Sequence, residues 1–123
     1  MATNREVITD AEEGVVHGID VAAWEGGKRD TLLSGSFLGV FALQFDGVRW
    51  NRTPIVKGDP TDWPKSGASE VVAGHLGRER FLATIEPWHG NKVVIYRRDG
   101  AAWKRHVIDE TITDGHTIVA GDF

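Results

Sequence analysis

The chain has no cysteine, one methionine, one tyrosine and four prolines. Without cysteine there is no disulfide framework and no thiolate metal site. Basic charge is also short: 14 Lys+Arg stand against 18 Asp+Glu, for a net charge of −4. The basic face that a nucleic-acid partner generally requires is missing, so none is expected. The apolar runs are far too short to span a bilayer, and no membrane partner is expected. The opening MATNREVITDAEE is polar and acidic and lacks the apolar stretch of a secretory signal, so a cytoplasmic location is the default expectation. Helical periodicity is scarce too. Few windows carry it free of Gly or Pro, and essentially no helix is expected.

What is present is a series of short β-type runs. From Phe81 to Phe123 the apolar runs Phe81–Ile85, Lys92–Tyr96, Trp103–Ile108 and Thr117–Ala120 are separated by Pro87 with His89-Gly90-Asn91, by Asp99-Gly100 and by Asp114-Gly115. Runs of about five residues rich in β-branched and aromatic side chains, split by Gly, Pro, Asn and Asp, are strands joined by tight connections. Asp99-Gly100 is the strongest hairpin signal. A chain of 123 residues, 41% hydrophobic and 26% charged, is enough for one domain with one modest core. The longest loop is Asp59–Ala68, and Trp63 within it reads as a packing anchor rather than a ligand contact.

Internal repetition decides the fold class. HGIDVAAW, SEVVAGHL and HTIVAGDF, starting at His17, Ser69 and His116, align with one another. Asp46-Gly47 then matches Asp99-Gly100, Trp50 matches Trp103, and the run from Arg52 through Ile55 matches Arg105 through Ile108. A four-stranded unit of roughly 40–50 residues is a β-propeller blade. The expectation is all-β. Two four-stranded antiparallel blades, over 18–57 and 69–109, stand between extra strands at 5–9 and 116–123, as a partial β-propeller over 1–123. Strands are expected near 5–9, 18–24, 29–34, 39–45, 50–56, 69–76, 80–86, 91–97, 103–109 and 116–122. Two blades cannot close a ring, since propellers have at least four. The chain is therefore read as part of a longer propeller or as a unit that assembles with copies of itself through its free edges.

The repeat resembles the FG-GAP or VCBS type of propeller repeat, on Ile118–Phe123 (IVAGDF) and on a degraded loop at Trp24–Asp30. That loop does not keep the family's calcium pattern. Ile85-Glu86-Pro87-Trp88-His89-Gly90-Asn91 followed by Val93–Tyr96 resembles the propeller portion of aldos-2-ulose dehydratase-like proteins. The resemblance implies a lyase that dehydrates keto-sugars.

In a blade, the innermost strand lines the central channel, and loops of alternating connections open on alternate faces. His17 and His116 share a slot at the start of the inner strand, while Glu86, His89 and Asn91 fall in a loop opening on the same face. Imidazoles with a carboxylate hold a divalent metal ion or move protons. The expected catalytic residues are His89, Glu86 and His17. The expected metal ligands are His17, His89, His116 and Glu86, and Glu70 joins them if it faces the channel. A small polyhydroxylated ligand is the expected partner on this reading. The alternative is a non-catalytic propeller fragment that binds carbohydrate or a protein partner, or a scaffold assembled from copies, with His17 and His116 as repeat consensus and Glu86–Asn91 as a turn. His75, toward the opposite face, and His106, in an outer strand, read as structural or solvated.

Overall fold

The computed structural model describes residues 3–10, 15–24, 26 and 28–123, and among these there is no helix. Eight strands form two antiparallel sheets, each laid down in chain order. The first contains β1 (Val16–Ala22), β2 (Thr31–Ser36), β3 (Gly39–Phe45) and β4 (Trp50–Val56). The second contains β5 (Glu70–Leu76), β6 (Glu79–Glu86), β7 (Lys92–Asp99) and β8 (Ala102–Asp109). These are the two expected blades of a partial β-propeller, each a meander from an inner to an outer strand.

The repeat is visible in geometry as well as in letters. Gly47 and Gly100, in the equivalent β3–β4 and β7–β8 hairpins, both have positive φ, 106° and 63°. A β-branched residue is strained there, which is why Asp-Gly marks both turns. Asp46 shapes the first turn by accepting from the Val48 and Arg49 amides at 2.8 and 2.9 Å. Both outer strands also carry one extra residue against their neighbour. Ile55 is passed over between Val56 and Pro54, and Ile108 between Asp109 and Val107. Such bulges bend and twist an outer strand away from a flat edge.

Alternation builds the core between the blades. Cross-strand rows Val71–Thr84–Val94–Val107 and Ala73–Leu82–Tyr96–Arg105 lie on one face of the second sheet. Leu82, Val94, Val71 and Tyr96 from this face pack with Leu33, Val40, Ala42 and Trp24 of the first blade. Each fully buried Leu or Val contributes about 1.5–3 kcal/mol. Polar contacts pin the two blades together. The Ala68 amide donates to the Ser36 carbonyl at 2.9 Å, and the Ala73 amide donates to Asp20 Oδ2 at 2.9 Å.

Two expected strands are absent. Residues 5–9 and 116–123 are described but pair with no strand. A strand exists only where a neighbouring ladder satisfies its backbone groups. Residues 5–9 meet no such ladder among the described residues. Residues 120–122 line a cleft with Gly74, His75, Leu76 and Phe81 of the second sheet but make no ladder with it. Trp63 is not a packing anchor either: it is 71% exposed. Its loop is closed on itself by paired Asp59 and Gly67 backbones, which leaves the indole outside the fold.

Candidate functional site

The inner strands of the two blades approach so closely that a side chain at Gly18 would not fit. A Cβ there would lie 2.8 Å from Glu70 Cα and from the Ser69 carbonyl oxygen. Beside this glycine, β1 carries an irregularity: Val16 pairs with Ser36 and Gly18 with Gly35, leaving His17 as the extra residue. A bulge re-aims the side chain it carries. Here His17 Nδ1 donates to Glu70 Oε1 at 2.7 Å, with both side chains largely covered. An ionised carboxylate only accepts, so the proton sits on Nδ1 and the lone pair is left on Nε2, on the inner side of the cluster.

That Nε2 faces another. His89 Nε2 lies 3.1 Å from His17 Nε2. His89 is held by two constraints. Its backbone has φ of 51°, a left-handed conformation that histidine adopts more readily than bulky residues. Its ring stacks on Trp88 at 3.8 Å between centroids and 7° between planes. His116 completes the group. Its ring lies 4.4 Å from His89 and 5.7 Å from His17. The segment that carries it is tied to the β6–β7 loop, since the Gly115 amide donates to the Gly90 carbonyl at 3.1 Å. One nitrogen from each of the three imidazoles falls within 4.8 Å of the others.

The donor set suits a divalent cation. Two nitrogens on one ion, each at about 2.0–2.1 Å, lie roughly 2.8–3.4 Å apart at angles between 90° and tetrahedral. The His17–His89 separation falls inside that range. Burial, and then the neighbouring His116 and His17, push His89 below the ordinary histidine range, with Asp114 working the other way. A neutral imidazole is the form that coordinates metal.

Glu86 does not join the group. Strand alternation turns it with Thr84 and Leu82 toward the core between the blades, where it is fully buried. Its Oε1 accepts from Thr84 Oγ1 at 2.8 Å and from the Tyr96 hydroxyl at 2.6 Å. Its Oε2 pairs with Arg105, 2.8 Å from Nε and 2.7 Å from Nη2. Burial and the Glu86 charge push the Tyr96 hydroxyl far above its usual range. The Arg105 guanidinium also approaches Asp59, which Lys92 binds at 2.9 Å. Burial works to raise the Asp59 carboxyl, but Thr61 and Lys92 outweigh it and hold it below the usual range. Glu86 is thus the anchor of a buried ionic lattice, and the carboxylate at the imidazole cluster is Glu70.

Of the remaining residues, Asn91 turns to the Glu110 carbonyl, and His75 and His106 lie outside the cluster. The packing of Trp88 under His89 and of Phe37 against Trp88, at 5.0 Å, had no separate signal in the sequence.

Comparison with known proteins agrees with this fold. The sequence profile of the aldos-2-ulose dehydratase β-propeller domain matches residues 2–99. Aldos-2-ulose dehydratase of Phanerodontia chrysosporium is 30% identical over 104 residues, an alignment covering 74% of this chain and 12% of that protein. The chain therefore spans about one eighth of the length of this relative. With most of its length matched by that profile and its two blades formed, the chain belongs to the aldos-2-ulose dehydratase β-propeller family.

Proposed function

We propose that this propeller segment supplies the cation site for removal of water from a keto-sugar at the channel face. The observation that carries the reading is the convergence of His17, His89 and His116, with His17 Nδ1 fixed by Glu70. Loss of water from such a sugar breaks a C–H bond beside the carbonyl and a C–O bond one carbon further on. The C–H electron pair becomes the new double bond, and the hydroxyl departs with a proton as water. A divalent ion, when bound, would draw electron density from the carbonyl oxygen and ease loss of the neighbouring proton.

The chain's own residues do the rest. His17, His89 and His116 would hold the ion through one ring nitrogen each. Glu70 keeps His17 in the tautomer whose Nε2 points inward, and the Trp88 ring fixes the plane of His89. The relative's printed name, a dehydratase of an aldos-2-ulose, supports the reaction class.

Dehydration converts a saturated ketone into a conjugated enone, which absorbs in the ultraviolet. Cation-dependent growth of that absorbance from a keto-sugar, lost in His89→Ala, is the expected result. No absorbance change with any divalent ion, alongside retained saccharide binding, would instead favour a carbohydrate-binding propeller without chemistry.

A further inference from the structure

Among the described residues Trp63 is the one largely exposed tryptophan, at 71%. An exposed large aromatic side chain is more informative than a buried one, because burial is its ordinary state. The loop that bears it is not loose. Asp59 and Gly67 exchange backbone hydrogen bonds at 2.9 and 3.2 Å, and the Lys65 amide donates to the Asp62 carbonyl at 2.9 Å. Ser66 Oγ donates to the Phe37 carbonyl at 3.0 Å, fixing the loop to the β2–β3 turn of the first blade. A held loop that leaves an indole in water forgoes its burial, which the core between the blades gives to Trp24.

The position of the ring supplies the reason. Trp63 lies 6.1 Å from Phe37, Phe37 lies 5.0 Å from Trp88, and Trp88 stacks on His89 at 3.8 Å, centroid to centroid. A continuous aromatic path therefore runs from the exposed indole to the imidazole cluster. Exposed Asp62 and Lys65 flank the indole in sequence, offering a carboxylate and an ammonium beside an apolar face. A pyranose ring has matching chemistry: C–H groups on its faces and hydroxyls around its rim.

We propose that Trp63 is a platform for a neutral pyranose ring, set a few ring widths from the cation site. The ligand class is an oligosaccharide whose end unit reaches the imidazole cluster while a unit further along it stacks on Trp63. This deepens the reading of the cluster as the keto-sugar site and rests on it for the identity of the end unit, but the stacking itself can be measured without chemistry.

The test is titration of the wild-type chain and of Trp63→Ala with maltotriose and with glucose. It is followed by the two-dimensional NMR indole N–H signals, with and without Zn²⁺. The expected result is tighter binding of the trisaccharide than of glucose. The trisaccharide should perturb the indole signal that disappears in Trp63→Ala, and its Kd should rise at least tenfold in that variant. Trp63→Tyr should recover part of the affinity, and Zn²⁺ affinity should be equal in all three proteins. Equal trisaccharide affinity in wild type and Trp63→Ala would overturn the proposal. So would a Trp63→Ala variant whose only change is a smaller mass by light scattering, which would make the indole a contact between copies. Failure of keto-sugar turnover with intact, Trp63-dependent trisaccharide binding would count against the chemistry alone.

Discussion

Replacing Glu86 by Gln separates the two roles a buried carboxylate near the imidazole cluster can have. The substitution keeps the volume, and an amide oxygen can still accept from Thr84 and Tyr96. It removes the charge paired with Arg105 and places an amide NH₂ against the guanidinium that now bonds Oε2. Glu86 is fully buried and Arg105 is about a quarter exposed, so water screens the pair only from one side. Breaking one partner of a buried pair costs about 3–5 kcal/mol. Partial hydration of Arg105 and the retained oxygen bring the expectation to about 2–4 kcal/mol, or roughly 10–20 °C in Tm for a domain of this size. Urea denaturation followed by tryptophan fluorescence reads the stability directly. Cation titration of the same variant under native conditions should give unchanged affinity, because Glu86 makes none of the contacts at the imidazole cluster. An unchanged denaturation midpoint would refute the structural role. A folded Glu86→Gln protein that no longer binds a divalent ion would restore Glu86 to the site.

Two further outcomes follow from charge and from exposed surface. His89 is held below the ordinary histidine pKa, so between the unfolded value near 6.5 and its lower folded value the unfolded chain binds more protons. Stability is then fully present above about pH 6.5 and falls as the pH drops through that window. Tm scans from pH 7.5 to 5 should show the fall in wild type and a smaller one in His89→Ala, whereas parallel slopes would assign the effect to other groups. Ile19 and Val21 on β1 and Val107 and Ile108 on β8 are exposed apolar residues on the inner and outer strands of the two sheets. We propose that copies of the chain associate through such surfaces, so light scattering at micromolar concentration should give a mass above 13.5 kDa, and a monodisperse monomer would contradict this.

The blades were legible because two independent signals repeat in register. Asp46-Gly47 and Asp99-Gly100 mark equivalent hairpins, and alternating apolar residues mark the faces around them. The outer limits were not legible. Residues 5–9 and 116–123 spell strands by composition, but a strand is a property of a pair, and among the described residues neither segment forms a strand ladder. At the site, the shared slot of His17 and His116 foretold their approach, and the turn after Glu86 foretold that of His89. Glu86 was misplaced because the loop and the end of β6 are adjacent in sequence but face apart, the carboxylate inward with Thr84 and the imidazole outward beyond Pro87. Glu70 could be placed only on condition that it faced the channel, and the close approach at Gly18 is what brings it to His17. Trp63 was misread because composition shows an aromatic residue in a loop but not whether the loop folds back over it.

Cation stoichiometry is the most direct measurement of the central claim. Metal-free protein titrated calorimetrically with Zn²⁺ at pH 7.5 should bind one ion per chain. Single replacements His17→Ala, His89→Ala and His116→Ala should each weaken binding, and Glu70→Gln should weaken it less, by about 10–100-fold as for a residue that orients a ligand. Equal affinity in wild type and in all three histidine variants, or no stoichiometric ion in wild type, would contradict the claim that these imidazoles form a metal site.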